Sequence, residues 1–156
     1  MRKEAKNELK LEDMGTTLTA LLSFNDVFYT INIGDSRVYV LSNTLQQLTT
    51  DHSLRNHYIR TKGWSPEDAE TIVSAAALTS SLGPNKSTTM EIHKYKAGKG
   101  IKKFLLTSDG IHDYIPKQVI EMTLMKNKKL KIIGNELIQR AINGKSSDNL
   151  TAIVME

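Results

Sequence analysis

Polar and apolar residues alternate along much of the first third of the chain. Residues 16–24 and Val27–Ile33 are rich in β-forming side chains on either side of a short polar turn, which predicts a hairpin. Two further alternating stretches, Arg37–Leu41 and 45–49, each follow a break of the kind that turns make. The pattern therefore predicts an antiparallel meander of four strands.

The hydrophobic period becomes helical after residue 50. Asp51 or Ser53 is placed to cap a helix that runs to about Lys62, and Gly63 is placed to end it. A second helix is predicted at the Ser-Pro-Glu-Asp stretch, 65–68. Serine is a good cap, proline fits the first turn, and acidic residues favour the positive end of a helix.

The second half of the chain mixes strand and helix patterns. Its predicted elements are, in order, a strand over 88–95, a hairpin loop over 97–100, a strand over 102–107, helices over 116–125 and 130–143, and a strand over 150–155. The last helix has one apolar stripe, which we interpret as facing the core rather than a cofactor.

Composition and charge narrow the functional classes. The 156 residues suit a single domain with its own core, and 39% hydrophobic and 24% charged residues are ordinary for a globular protein. The net charge of +4 comes partly from two lysine-rich stretches, 94–103 and 126–131. We expect no nucleic-acid partner, because neither stretch interleaves aromatic residues with the charge. A modest positive field would still favour phosphorylated ligands.

The sequence lacks membrane and thiol signals. No stretch approaches the ~20 apolar residues of a membrane span, and the N-terminus has no apolar segment of a secretory signal. We therefore expect a cytoplasmic protein without a membrane partner. Since the chain has no cysteine, a bound metal would need oxygen or histidine ligands. Oxygen ligands favour Mg2+ or Mn2+ as the cofactor.

The stretch 104–115 carries the strongest chemical signal. An apolar run ends at Asp109 and Gly110, where glycine would let the backbone turn sharply, and Asp113 follows soon after. Such a pair suits a divalent cation, although Asp-Gly is also a common turn and Asp a common helix cap. A second acidic turn, at Asp148, precedes the last apolar run and strengthens the metal interpretation. Asp35 lies in another predicted turn, where turn formation alone is the commoner role.

Other catalytic patterns are weaker. Asp51 and His52 suggest a dyad, but the chain has no G-x-S-x-G elbow, so capping or loop packing is the better interpretation. The glycines at 98 and 100 lack the Lys-Ser/Thr ending of a P-loop. The D-x-D-x-D-G run of an EF-hand and the D-x-D pattern of an aspartyl nucleophile are both absent. A simple oxygen-ligand metal binder is a further hypothesis, and the absence of these patterns makes an EF-hand the weaker form of it.

Six separated motifs occur in one order along the chain. They are Met-Gly-Thr-Thr at 14–17, Gly-Asp-Ser-Arg at 34–37, Thr-Asp-His-Ser at 50–53, Thr-Ser-Ser-Leu-Gly at 79–83, Thr-Ser-Asp-Gly at 107–110 with Asp113, and Ser-Asp-Asn-Leu-Thr at 147–151. In this order the motifs resemble those of the type 2C metal-dependent protein serine/threonine phosphatases. The resemblance covers residues 14–156.

The resemblance implies an α+β fold, a layered α/β-β/α sandwich of two antiparallel sheets flanked by helices, here incomplete at the N-terminus. It also implies a hydrolase in which a metal-bound water, rather than a side chain, attacks phosphoserine or phosphothreonine of a protein substrate. Asp109 and Asp148 resemble ligands of the catalytic Mg2+ or Mn2+ pair, while Asp35 and Asp113 resemble ligands of an accessory cation. Residues 52–77 resemble the variable flap beside the active site.

The chain also departs from the family pattern. We expect residues 1–13 to be a charged leader and 14–156 a partial phosphatase-like domain that lacks the bridging Asp-Gly-x-Gly-Gly motif and a phosphate-binding arginine. Asp109 and Asp148 would then hold at most one cation, and this truncated domain would have little or no activity. The alternative is a catalytically inactive phosphatase-like binding or regulatory module. Unpaired strand edges and an uncovered apolar face predict homo-oligomers or exchange of elements between copies.

Overall fold

The computed structural model describes residues 11–25, 27–96 and 100–156. The strands in these ranges are β1 (Leu18–Phe24), β2 (Val27–Ile33), β3 (Arg37–Leu41), β4 (Leu45–Gln47), β5 (Glu91–Lys96), β6 (Lys103–Thr107) and β7 (Ala152–Met155). The helices in these ranges are α1 (Leu54–Lys62), α2 (Pro66–Glu70), α3 (Asp109–His112), α4 (Lys117–Leu124) and α5 (Leu130–Asn143). Most of the predicted charged leader, residues 1–10, lies outside the described residues.

The helix ends follow the capping signals in the sequence. The Ser53 side chain accepts a hydrogen bond from the Asn56 backbone and so begins α1, and Gly63 ends it in the left-handed region at φ 66°. The Ser65 side chain begins α2 in the same way by accepting from the Asp68 backbone. Both helix starts are therefore confirmed. None of the helices in the described ranges combines the length and the apolar composition needed to span a bilayer.

The strands form two antiparallel sheets. One has the order β4-β3-β6-β7, and we call it the covered sheet; the other has the order β1-β2-β5, and we call it the open sheet. This arrangement, with helices beside the sheets, confirms the expected α+β sandwich. The β1–β2 hairpin is also confirmed, with Leu18 opposite Ile33 and Phe24 opposite Val27.

The predicted four-strand meander is wrong, because β2 and β3 belong to different sheets. The turn between them carries the chain from one sheet to the other. Gly34 adopts φ 107° in this turn, and a Cβ there would lie 2.3 Å from Thr17 Cγ2. Alternation along the sequence reports the face of a strand but not the partner of that strand, so the pattern could not distinguish the two pairings.

The predicted hairpin loop over 97–100 is also wrong as a link between paired strands. Residues 97–99 lie outside the described residues, but β5 pairs with β2, whereas β6 pairs with β3 and β7. Two strands that follow each other closely in the chain thus belong to opposite layers. Because Arg37 at the start of β3 lies opposite Thr107 at the end of β6, the β2–β3 turn and the end of β6 lie at the same end of the sandwich.

The main core lies between the covered sheet and two helices. Its buried side chains include Tyr39, Leu41 and Leu105 from the strands, Ile120 and Leu124 from α4, and Ile133, Leu137 and Ala141 from α5. These positions of α5 recur at helical spacing, so its apolar stripe faces the core as predicted. The opposite face of the covered sheet meets the open sheet, where the Phe28 and Phe104 ring centroids are 4.5 Å apart.

The outer face of the open sheet is apolar and exposed. The side chains of Leu18, Leu22 and Phe24 alternate along β1 and are 44%, 53% and 68% exposed. Ile92 of β5 is paired with Ile31 of β2 and is 56% exposed. By contrast, the inner face of this sheet holds Thr30 and Asn32, which are buried. Apolar side chains thus face outward on a sheet whose inner face is partly polar.

Candidate functional site

A cleft of about 400 Å³ lies beside the turn between β2 and β3, and we call it the acid cleft. Its walls come from the β2–β3 turn, the two helices α1 and α2, and the segment around α3. Its lining residues are Asp35, Arg37, Asp51, Ser53, Arg55, Glu70, Ala75, Ala76, His112 and Asp113. Two of the sequence-predicted site residues, Asp35 and Asp113, therefore border one cavity.

The other two predicted residues, Asp109 and Asp148, are brought together by contacts between two loops. The Ser108 hydroxyl donates to the Asn149 carbonyl at 3.0 Å and accepts from the Thr151 backbone at 3.1 Å. A Cβ on Gly110 would lie 2.5 Å from the Asn149 carbonyl oxygen. Glycine is therefore needed at this position for the close approach. The sharp turn that the sequence predicted at Gly110 is wrong, because Gly110 lies inside α3.

The predicted carboxylates lie at one end of the sandwich, where the charge of Asp109 acts on Asp35 and on Asp113, and the charge of Asp148 acts on Asp113. Burial, followed by the charge of Asp109, raises the pKa of Asp35 to about 6. Burial also raises the pKa of Asp113, with further contributions from Asp109, Asp51 and Asp148 and an opposing one from Arg37. Repulsion among like charges of this kind is what a bound cation would relieve.

The carboxylates do not, however, form a complete metal site. Within the described ranges, no three His, Asp or Glu side chains converge as ligands. Asp109 Oδ1 accepts from the Gly110 backbone at 2.9 Å, and Asp148 Oδ1 accepts from the Asn149 backbone at 2.6 Å. The chemistry of these oxygens suits Mg2+ or Mn2+, but the set that this chain supplies fits only part of a site.

A partly buried ion pair that sequence reasoning missed lines the acid cleft. Arg37 donates from Nε to both oxygens of Asp51 at 3.0 and 2.9 Å and from Nη2 to Oδ2 at 2.6 Å. Gln47 adds a bond to Asp51 at 2.8 Å, and Arg37 also donates to the Tyr39 hydroxyl at 3.3 Å. Asp51 thus packs in a loop, as one of the two sequence interpretations held, and does not cap α1. No local pattern links Arg37 to a residue so far along the chain.

His52 fastens the next segment to the turn at Gly34. The Gly34 backbone donates to His52 Nδ1 at 3.1 Å, and the His52 backbone donates to the Gly34 carbonyl at 2.9 Å. This two-way contact leaves no role for a catalytic Asp51–His52 dyad, since Nδ1 is already used as an acceptor. The contact with Gly34 agrees with loop packing of His52, the interpretation that the absence of a serine elbow favoured.

Helices α1 and α2 and the segment 71–77 border the acid cleft on one side. Backbone bonds from Leu54 to the Ala77 carbonyl and from Arg55 to the Ala75 carbonyl, both 2.9 Å, attach the start of α1 to this segment. Across the helices, Arg55 Nε lies 2.5 Å from Glu70 Oε2. The region that resembles the family's flap thus stands beside the predicted metal ligands.

A second cleft, of about 570 Å³, lies along α1 and shares Asp51 and Ser53 with the acid cleft. We call it the Arg60 cleft, because Arg60 Nη1 pairs there with Glu91 Oε1 at 2.6 Å. The same carboxylate also accepts from His93 through its other oxygen at 3.2 Å. Two arginines of one helix, Arg55 and Arg60, are thus each paired with a glutamate in a different cleft.

Comparison with known proteins identifies the family of the chain. The family model described as Protein phosphatase 2C matches residues 1–153. The chain belongs to the protein phosphatase 2C family. The match confirms the resemblance that the six motifs carry. It begins at residue 1, so it includes residues that we expected to form a leader.

Individual protein phosphatase 2C relatives agree with the family match. The serine/threonine phosphatase stp of Listeria welshimeri is 33% identical over 153 residues, which are 97% of this chain and 60% of that protein. The crystal structure of the phosphatase Stp1 from Staphylococcus aureus superposes with a TM-score of 0.85 at 32% identity, covering 99% of this chain and 62% of that one. The chain therefore spans about three fifths of the length of these relatives.

A third relative bears on the metal. The catalytic domain of the phosphatase PstP, solved in complex with two manganese ions, superposes with a TM-score of 0.78 at 29% identity and covers 98% of this chain and 63% of that one. The catalytic domain of that relative thus holds two manganese ions. The relatives leave the choice between Mg2+ and Mn2+ open.

Proposed function

We propose that this chain belongs to a phosphatase that hydrolyses phosphoserine and phosphothreonine in protein substrates and uses Mg2+ or Mn2+. The observation that carries the proposal is the gathering of Asp35, Asp109, Asp113 and Asp148 at one end of the sandwich from distant parts of the sequence. The names of the relatives, which are serine/threonine phosphatases, support the substrate class.

We assign different roles to the four carboxylates. Asp109 and Asp148 would be ligands of the catalytic pair, and Asp35 and Asp113 would be ligands of an accessory cation. A cation in such a site supplies an ionised water and neutralises charge on the phosphoryl oxygens. The assignment follows the family motifs residue by residue, and the repulsion that raises the pKa of Asp35 and of Asp113 supports a cation at this end of the sandwich.

We further propose that the 156 residues alone have little or no turnover. The described residues supply no three converging ligands, and the sequence contains no Asp-Gly-x-Gly-Gly motif to bridge two cations. Fewer carboxylates leave more of a cation's coordination shell to water, so binding should be weak. The division into a charged leader, 1–13, and a partial domain, 14–156, belongs to the same proposal.

Phosphate release from a phosphoserine peptide tests this proposal. In the presence of Mn2+, we expect turnover at least a hundredfold below that of the Listeria welshimeri phosphatase measured under the same conditions. A matched titration with Mn2+ followed by calorimetry should show weak binding that Asp109→Asn and Asp148→Asn abolish. Glu67→Gln on exposed α2 is the control and should leave binding unchanged. Turnover comparable to that of the relative would refute the loss of activity.

The second candidate is an inactive phosphatase-like binding or regulatory module. The observation in its favour is the same incomplete ligand set within the described residues. A module would bind phosphopeptides without releasing phosphate even after the missing metal ligands are supplied by fusion to the first two fifths of a relative's domain. Restored turnover in that fusion would favour the enzyme.

The expected cytoplasmic location and the expected lack of nucleic-acid and membrane partners stay predictions.

A further inference from the structure

The acid cleft contains two guanidinium groups, which differ in what they can do. Arg37 is held by both oxygens of Asp51 and by Tyr39, with its side chain 24% exposed. A planar fork that is already matched to a carboxylate has little capacity for another anion. Arg55, in contrast, contacts a single carboxylate oxygen, that of Glu70.

The Arg55–Glu70 contact is a partly exposed ion pair that uses one carboxylate oxygen. Among the described residues, Arg55 Nε makes no aligned hydrogen bond, although it lies only 2.5 Å from Glu70 Oε2. The side chains are 38% and 68% exposed, and exposed ion pairs of this kind contribute little to stability. Glu70 would lose little by returning to water, so a better-matched anion can replace it.

The backbone of Arg55 is fixed, whereas its side chain is 38% exposed and has Glu70 as its ion-pair partner. Arg55 follows the capping residue Ser53 in the first turn of α1, and its N–H donates to the Ala75 carbonyl at 2.9 Å. The guanidinium therefore reaches the acid cleft from a defined point on its rim. Since Arg37 is engaged, Arg55 is the cation of the cleft that can receive a phosphate.

We infer that Arg55 recognises the phosphoryl group of the substrate by leaving Glu70 and donating two hydrogen bonds to phosphoryl oxygens. The planar fork of arginine matches a phosphate in a way that a point charge does not. This inference rests on the proposed function, because Asp35 and Asp113 would repel a phosphate unless a cation neutralises them. Glu70 then acts as a stand-in for the phosphate in the unbound protein.

Binding of a fluorescein-labelled phosphoserine peptide, followed by anisotropy in Mn2+ and compared with the unphosphorylated peptide, tests the inference. Arg55→Ala should weaken phosphopeptide binding about tenfold, which is the scale of charge-assisted hydrogen bonds. Arg55→Lys should fall between the two, because lysine keeps the charge and loses the fork. Glu70→Gln should tighten binding about threefold, since it removes the competing carboxylate.

The opposite signs of Arg55→Ala and Glu70→Gln separate recognition from a structural role. If Arg55 only tied α1 to α2, both substitutions would break the same contact and change binding in the same direction, which would overturn the inference. Arg60→Ala is the matched control, because Arg60 lies on the same helix but pairs with Glu91 in the other cleft. Binding of the unphosphorylated peptide should not change in any variant, and inorganic phosphate should compete with the phosphopeptide.

Failure of this inference is distinguishable from failure of the proposed function. Phosphate-dependent binding that persists unchanged in Arg55→Ala would overturn the role of Arg55 and leave the phosphatase proposal standing. A wild-type chain that binds both peptides equally, at an Mn2+ concentration that calorimetry shows to saturate it, would overturn both. Competition by phosphate that is lost in Asp109→Asn but not in Arg55→Ala would assign recognition to the metal ligands alone and also exclude Arg55.

Discussion

The covered sheet and the open sheet are both antiparallel and pack against each other through their inner faces, yet their outer faces differ. On the covered sheet, Leu105 and the side chains beside it are buried under α4 and α5, and Leu105 is 0% exposed. On the open sheet, Leu22 and Phe24 have equally apolar side chains and are 53% and 68% exposed. The same residue types therefore contribute to stability on one sheet and form a surface on the other.

The difference shows where stability and function divide in this chain. Burial of apolar area is the main favourable term in folding, so the covered sheet with its two helices should carry most of the folding free energy. The open sheet contributes β2, whose end leads to Asp35, and the covered sheet contributes β6, whose end leads to Asp109. The candidate site thus depends on both layers, of which only the covered sheet has helices packed on its outer face.

The largest expected effect comes from matched leucine truncations in the two sheets. Leu105→Ala should lower the free energy of unfolding by about 2–5 kcal/mol, because it leaves a cavity in the main core. Leu22→Ala should change it by less than about 0.5 kcal/mol, as for an ordinary surface substitution. Urea denaturation of the two variants measures both values. Equal losses would mean that the outer face of the open sheet is buried in solution.

The ion pairs of the two layers should also differ in their contribution to the free energy of unfolding, but by less than the two leucines do. Arg37→Ala removes the bidentate partner of Asp51 and leaves that carboxylate mostly buried, so we expect a loss of about 1–3 kcal/mol. Arg60→Ala removes the partner of Glu91 on the open sheet, but Arg60 is 57% exposed and His93 still contacts Glu91. We expect a loss below about 1 kcal/mol there. The same urea measurement decides, and a larger loss for Arg60→Ala would reverse this ranking of the layers.

Self-association of the chain should depend on the exposed apolar face of the open sheet. We expect the chain to associate as its concentration rises, because the apolar residues of β1 and β5 form one exposed surface. A double substitution, Leu22→Lys with Phe24→Glu, should weaken association at least tenfold in sedimentation equilibrium. Ile132→Glu is the control: this residue is 48% exposed on α5, in the layer that covers the other sheet. Wild-type protein that stays monomeric at high concentration would contradict the expectation.

Local signals predicted much of the secondary structure, because their causes are local. The caps at Ser53 and Ser65, the stop at Gly63 and the β1–β2 hairpin each depend on residues within a few positions of one another. The assignment of strands to sheets was not predictable in this way. Pairing of β5 with β2 joins distant residues, and nothing in the period of either strand specifies the partner.

The candidate site shows the same division. The predicted carboxylates Asp109 and Asp148 carry recognisable motifs, and the structure brings their loops together through Ser108. The contacts that shape the cleft around them were missed, above all the pair between Arg37 and Asp51. Such a pair has no sequence signature, because each residue alone is typical of an ordinary turn or strand end.

The smallest expected effect is a pH dependence that belongs to the open sheet. Burial disfavours the charged form of Glu91, but hydrogen bonds from Arg60 and His93 outweigh it and lower the pKa of Glu91 below its usual 4.5. A carboxyl group with a lowered pKa in the folded state stabilises the fold above about pH 4.5, and this contribution is lost as the pH falls through the folded pKa. Glu91→Gln should therefore flatten the stability profile only on this acidic side and leave it parallel to wild type at neutral pH. Thermal unfolding between pH 3 and pH 7 measures the difference, and a profile that changes mainly near neutrality would instead point to a histidine.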